Sequence, residues 1–377
     1  MNVSRAIRVL FSRTPVAGAP APRRAAPSSA RRRGRAAVAW FAVMVVAIHA
    51  AALLALQDPR LRDPEYGLRA ARLRDRIAEN PGRPLVLVVG SSRTAMGVSP
   101  AAWEEVRPND PARQDPLLFN AAVLGAGPVM ELMTLRRVYA DGFRPAVVLI
   151  EYWPPFLHNQ DQWVETNRIA VDRLMDCDRE LVHGYFPRPD RTEWEMDHRR
   201  RNAIYANRER LLMKVAPRWL PAARRADAGW TGLDAWGWVP GFDLKPDMTD
   251  WRAKAVANCS DIYRPLFAKY KVAPDADRAL REAIALARDH GAAVGLVYLP
   301  ESAEFRGLYP RRVERVAREH LETVSRDLNV PVIDCRTWMP DGAIVDGFHL
   351  SKTGAADFTR LFGPAVAAAF PAAGVKP

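Results

Sequence analysis

The sequence predicts an α/β protein, with a parallel sheet of five strands covered by helices on both faces, one membrane-spanning helix before it and a helical insertion within it. Three observations carry this. Short aliphatic runs alternate with segments of helical period, the pattern of a doubly wound sheet. The alternation stops at residue 156 and resumes after residue 273. A run of 21 residues, Ala36 to Leu56 (AAVAWFAVMVVAIHAAALLAL), carries no formal charge.

The apolar run comes first. At ~1.5 Å per helical residue it just crosses a hydrocarbon core of about 30 Å. Nine arginines precede it: Arg5, Arg8, Arg13, Arg23, Arg24, Arg31, Arg32, Arg33 and Arg35. A cleaved signal peptide has a shorter charged region and a shorter apolar core, so the run reads as an uncleaved anchor at 36–56. The arginines stay in the cytoplasm, which places the chain beyond about residue 57 outside it. Residues 1–35, rich in Arg, Ala, Pro and Ser, read as a disordered cytoplasmic tail. The Ala- and Arg-rich usage suggests a bacterium of high genomic GC content, hence an inner-membrane anchor and a periplasmic body.

Residues 57–83 read as a helical stalk. Leu85 to Val89, ending at Gly90, is the first buried strand. Ser99-Pro100 starts a helix, with a cap followed by proline at the first helical position. Leu117 to Val123 is the second strand, Pro128 opens a helix ending near Gly142, and Pro145 to Glu151 is the third strand. Residues 84–155 thus form the first part of the domain. Residues 156–273 form a helical insertion expected to cover the carboxyl edge of the sheet. Within it, Thr192 to Glu195 is a capping box for a helix reaching Val215. Residues 274–377 complete the domain. They hold a helix from Asp277 to His290, a strand from Ala293 to Leu299, a helix from Arg311 to Leu328, a strand from Val330 to Asp334, and a last helix capped by Ser351.

Charge limits the partners. The net charge is +12, and the nine tail arginines supply nine of it, leaving +3 for the rest. Basicity confined to a tail gives the folded body no reason to bind nucleic acid. Three cysteines, Cys177, Cys259 and Cys335, permit one disulfide in an oxidising compartment and leave one thiol over. No Cys-x-x-Cys pair occurs and the histidines lack ligand spacing, so neither a metal nor a cofactor is expected.

Three constellations carry chemistry. Gly90-Ser91-Ser92-Arg93 follows the first strand, at the carboxyl end where an open α/β sheet places its ligands. It lacks the Gly-Lys-Ser/Thr of a phosphate loop. Asp346-Gly347-Phe348-His349 can set a carboxylate against one imidazole nitrogen and leave the other free as a base. Asn120 to Pro128 contains Gly125 and Gly127, which let backbone approach a substrate. Met130 stands where a dinucleotide fingerprint needs its third glycine.

Together these blocks resemble the SGNH (GDSL-like) hydrolase family over about residues 84–155 and 290–365. The resemblance implies a flavodoxin-like sheet of order 2-1-3-4-5, with Ser92 as nucleophile, His349 as general base and Asp346 as its orienting partner. Gly125 and the Ser92 backbone N–H would serve the oxyanion. Two positions depart from the family. Ser91 replaces the usual Asp, and Pro154 stands where the third block has its oxyanion asparagine. Proline has no N–H, and the loop residue Asn159 is the candidate to take its place. The Gly-Ser-Ser-Arg block, anchor and insertion also resemble membrane-anchored SGNH-like proteins that act beside acyltransferases in cell-surface polymer modification, such as D-alanylation of teichoic acid or acetylation of alginate. The expected function is hydrolysis or transfer of acyl, chiefly acetyl, esters on an envelope glycan, with a membrane acyltransferase as partner. The alternative is a non-catalytic binding or assembly subunit of an envelope polysaccharide complex. Trp219, Trp230, Trp236, Trp238 and Trp251 could form a sugar platform or pack the insertion against the sheet.

Overall fold

Strands buried on both faces must be apolar at every position, and four of the five are nearly so. The strands are β1 (Leu85–Val89, LVLVV), β2 (Leu117–Asn120, LLFN), β3 (Val147–Glu151, VVLIE), β4 (Ala293–Tyr298, AVGLVY) and β5 (Val332–Asp334, VID). The computed structural model describes residues 29–105, 115–220 and 232–371. In it the strands form one all-parallel sheet of order β2-β1-β3-β4-β5, so β1 is internal and the chain reverses direction of growth there. The protein is therefore α/β, with the predicted strand order.

The pleat divides the core in two. Leu85, Leu87 and Val89 face one apolar cluster, while Val86 and Val88 face the other. The first cluster is covered by α2 (Pro64–Glu79), α5 (Pro128–Ala140), α10 (Pro274–Asp289) and α11 (Arg311–Leu328). The second is covered by α4 (Pro100–Glu105) and α12 (Lys352–Ala369), through Trp103, Phe358, Phe362 and Val366. A short helix, α3 (Ser92–Gly97), follows β1 directly.

The chain divides into two units, 1–51 and 52–377. Helix α1 (Ser29–Ala55) contains a stretch, Arg31–Ala55, long and apolar enough to cross a membrane. Its large apolar side chains, among them Val38, Trp40 and Phe41, lie exposed rather than packed. The helix begins earlier than the apolar run, so Arg31, Arg32, Arg33 and Arg35 are helical and not part of a structureless tail. Ala and Arg are both strong helix formers, which is why the polar boundary does not stop the helix. The remainder of the tail, residues 1–28, lies outside the described residues.

Several boundaries shift. The expected stalk does not stand apart: α2 buries Tyr66, Ala70 and Leu73 in the sheet's own core, and Tyr66 Oη donates to Asp141 (2.8 Å). Strand β2 ends at Asn120, where the Asn120 N–H turns to Trp236 O (3.1 Å). Strands β3 and β5 begin two residues later than expected, and α10 begins three earlier, at Pro274. The capping box at Thr192 is also corrected. The helix starts at Pro189, whose fixed φ suits the first helical position, and Thr192 Oγ1 donates back to Arg188 O (3.1 Å) within it. That helix stops at Arg201, and Val215 is reached only through two further short helices, Ala203–Ala206 and Arg208–Val215.

The described part of the 156–273 insertion holds helices and turns and no strand. Its α9 (Thr249–Ala268) reaches the segment before α12, with Arg252 Nε donating to Ile344 O (2.8 Å) and Tyr263 against Phe348. The insertion's Trp236 O accepts the Asn120 N–H at the end of β2 (3.1 Å). Trp238 Nε1 donates to Met96 O (2.7 Å), Val239 N–H to Ala95 O (3.0 Å), and Thr353 N–H to Asp243 Oδ1 (2.7 Å). The 236–243 segment thus borders α3 and the start of α12. The three cysteines are all free thiols.

Candidate active site

The Gly90-Ser91-Ser92 turn is built by a carboxylate. Glu151, the last residue of β3, is buried, and its Oε2 accepts the Ser91 N–H (2.7 Å) and the Thr94 hydroxyl (2.7 Å). A Cβ on Gly90 would collide with Thr94 Oγ1 and Glu151 Oε2, so only glycine admits this approach. Ser91 caps α3, its Oγ accepting the Arg93 N–H (3.1 Å). Capping occupies Ser91 and leaves Ser92, at the first position of α3, as the serine that faces the sheet edge.

Behind the turn lies a buried charge network. Arg93 pairs with Glu151 (3.3 Å), donates to Leu299 O (2.8 Å) and Pro300 O (3.1 Å), and lies over the Trp153 ring (4.9 Å). Glu301 completes it, accepting from Trp153 Nε1 (3.0 Å), Tyr309 Oη (3.0 Å) and Arg336 Nε (3.1 Å). A charge in a low-dielectric interior persists only when paired in this way.

The second half of the site comes from the turn before α12. Val345 N–H donates to His349 O (2.8 Å) and Ser302 N–H to Gly347 O (2.8 Å), closing the turn and tying it to the end of β4. Gly347 adopts φ +115°, a region that L side chains avoid. Phe348 fixes the turn from beneath, against Trp153 (4.9 Å), Phe305 (5.0 Å) and Tyr263 of α9 (5.4 Å between ring centroids).

These two halves meet. His349 Nε2 lies 2.7 Å from Ser92 Oγ, and His349 Nδ1 lies 2.8 Å from Asp346 Oδ2. Asp346 Oδ1 also accepts the His349 N–H (3.0 Å) and Phe348 N–H (3.3 Å). Burial pushes the Asp346 carboxyl up, but the His349 charge and these hydrogen bonds outweigh it, so it sits below its ordinary value. A carboxylate on the Nδ1 side holds a proton there and leaves the Nε2 lone pair toward the serine hydroxyl. The arrangement can therefore deprotonate Ser92 Oγ.

Gly125 lies on the turn after β2 with φ +76°. Val123 N–H donates to Gly90 O (2.9 Å), which binds this turn to the serine turn. Among the described residues neither the Gly125 nor the Ser92 N–H has a hydrogen-bond partner. Asn159 is placed differently. Its Oδ1 accepts the Glu165 N–H (2.6 Å), and no described contact brings it to Ser92 or His349. Pro154 opens a short helix, Pro154–Leu157, and supplies no donor. Asn120 is structural, its amide donating to Thr94 O and Val98 O (both 2.8 Å).

Sequence reasoning missed Arg93, Glu151, Glu165 and Glu301. The available signal was a carboxylate ending an otherwise apolar strand, at Glu151. Glu165 answers the N-terminus of α5, accepting from Gly127 (2.7 Å), Val129 (3.0 Å) and Met130 (2.8 Å) N–H groups. Beside it, the buried Glu131 has an Oε2 without a partner among the described residues, and burial, with Glu151 and Glu165 nearby, pushes it well up. Among the described residues no group of three or more His, Cys, Asp or Glu is placed to hold a metal. Comparison with known protein families and with curated proteins finds no match to this chain.

Proposed function

We propose that this protein is a membrane-anchored serine esterase or O-acyltransferase of the SGNH type, acting on acyl esters of an envelope glycan. The observation that carries the reading is the unbroken chain from Ser92 Oγ through His349 to Asp346, at 2.7 and 2.8 Å. Ser92 Oγ attacks the ester carbonyl carbon while His349 Nε2 takes its proton. The tetrahedral oxyanion is received by the Ser92 and Gly125 N–H groups. Collapse expels the alcohol, which takes the proton from His349, and leaves an acyl-Ser92 ester. Water or a sugar hydroxyl then repeats the sequence in reverse, with His349 again as base. Asp346 stabilises the imidazolium and remains ionised.

The glycan part rests on an exposed aromatic pair. Phe242 and Trp251 are 45% and 43% exposed, with ring centroids 5.1 Å apart. Phe242 O accepts the Lys352 N–H (3.4 Å), three residues past His349. Trp238 and Trp236 instead pack inward, and Trp230 lies outside the described residues. The periplasmic orientation rests on the arginines ahead of the apolar run, and a membrane acyltransferase would be the partner that supplies or consumes the acyl group.

The second reading is a non-catalytic binding or assembly subunit. Pro154 favours it, since losing one oxyanion donor typically costs about 10²–10³ in rate. Labelling of the purified protein with a small fluorophosphonate decides between them. Wild type and Ser91→Ala should label, and Ser92→Ala and His349→Ala should not. A wild type that never labels transfers the assignment to the binding subunit. Alkaline phosphatase fused after Pro377 should be active, and an inactive fusion would remove the envelope glycan as substrate.

A further inference from the structure

A groove of about 910 Å³ lies within the 52–377 unit, and neither Ser92 nor His349 is in its lining. Its apolar lining is Leu54, Leu61, Leu68, Leu124, Met213 and Leu220. Leu54 is 66% and Leu124 36% exposed, so large apolar side chains face open space there. Isolated exposed leucines need no explanation, but several converging on one concavity mark a binding surface.

The two ends of the groove state what it holds. Leu54 and Ala55 are the last residues of α1, the helix apolar enough to span a bilayer. That end lies where the chain would leave the membrane. Leu124 lies at another part of the lining and immediately precedes Gly125, on the turn that Val123 ties to Gly90. One groove thus borders both the end of α1 and the turn that carries Gly125. An aliphatic chain laid against these side chains would cover apolar surface that otherwise faces water.

The charged residues of the lining select the head group. Three arginines line the groove and each is answered: Arg60 by Asp58 (2.8 Å), Arg173 by Asp63 (3.0 Å) and Arg210 by Asp172 (3.0 Å). Carboxylates outnumber guanidinium groups in the lining. Such a lining repels a phosphate, which calls for open arginine forks.

We propose that this groove takes the aliphatic chain of a glycolipid without phosphate, so that its esterified sugar reaches Ser92. The inference rests on the esterase reading and names its substrate class as lipid-borne. The test uses the full chain in detergent micelles and two probes with the same diazirine-bearing chain, a monoglycosyl diacylglycerol and a phosphatidylglycerol. Irradiation should crosslink the glycolipid to peptides containing Leu61, Leu124 or Met213. Leu61→Arg and Met213→Arg should each cut this by about tenfold or more, since a charge is placed on the apolar wall. Leu361→Arg, on an exposed position of α12 outside the groove, should leave crosslinking unchanged and serves as the folded control. Crosslinking spread evenly over the protein, or unaffected by both groove variants, overturns the proposal. Equal crosslinking by phosphatidylglycerol overturns its head-group selection. If the groove crosslinks while Ser92 never reacts with fluorophosphonate, the groove stands and the esterase reading fails.

Discussion

The sheet and the insertion are held by different physics. In the sheet, β1 is buried residue by residue, and its two faces are filled by aliphatic and aromatic side chains. The insertion is pinned by charge. Arg137 of α5 binds Asp178 (2.5 Å) and Asp63 (2.7 Å), Arg173 also binds Asp63 (3.0 Å), and Glu165 seizes the start of α5. The candidate site lies on the seam, with Ser92 from the sheet side and Phe348 wedged against Tyr263 of the insertion. The comparison teaches that apolar packing sets where the strands lie, while buried ion pairs set how the loops over them are aimed. Apolar burial is non-directional, and a bidentate guanidinium is not.

The largest expected effect tests whether the seam carries chemistry at all. Ser92→Ala or His349→Ala should lower ester turnover by about 10⁴-fold or more, as loss of a coupled triad member does. Urea unfolding of both variants should stay close to wild type, since neither residue belongs to the networks that hold the two regions. A loss under tenfold would remove Ser92 from the chemistry.

The next effect contrasts the two kinds of cohesion. Arg137→Met leaves Asp178 buried without its guanidinium partner and Asp63 with Arg173 alone, and should cost about 3–5 kcal/mol in urea unfolding. Leu87→Ala, in the centre of β1, should cost about 2–5 kcal/mol. The two differ in acid. Protonation relieves the under-paired Asp63 in Arg137→Met and does nothing for a cavity, so only the first variant should approach wild-type stability below about pH 3. Parallel pH profiles for the two would break the distinction.

Titration of the wild type sharpens the same point with opposite signs. Burial pushes the Asp63 carboxyl up, but Arg173 and Arg137 overcome this and hold it at about 2. A folded value below the unfolded one gives stability that is present above pH ~4 and lost as pH falls toward about 2, on the order of 2 kcal/mol. Glu131 runs the other way. Its folded carboxyl is raised by burial, Glu151 and Glu165, so the folded state keeps a proton that the unfolded state releases. Stability from that group is present below pH ~4 and falls as pH rises toward its folded value. Glu131→Gln, which mimics the protonated form, should flatten the decline on the alkaline side. An unchanged slope would show that Glu131 is ionised in the fold.

The smallest effect concerns the exposed rim. Trp251→Ala should raise KM for a glycan ester by about threefold and leave kcat alone, because it removes contact made equally in ground and transition states. An effect on kcat with KM unchanged would place Trp251 in structure instead of recognition.

What could be read from the sequence by itself was local. The five strands, the proline-led starts of α4 and α5, and the Ser351 cap on α12 each depend on a window of a few residues. So does the contact of Asp346 with His349, three positions apart on one turn. The order of the blocks also suggested that Ser92 belongs near His349. Only the tertiary structure showed what holds the neighbouring Ser91, whose N–H donates to Glu151, 60 positions away. It also decided that Asn159 serves Glu165, that the stalk is part of the core, and that Arg93 reaches carbonyls more than 200 positions along the chain. Periodicity and capping are satisfied by near neighbours and leave their mark in short spacings. A buried charge is satisfied by whichever strand end lies beside it, and that is settled by the folded arrangement of the whole sheet.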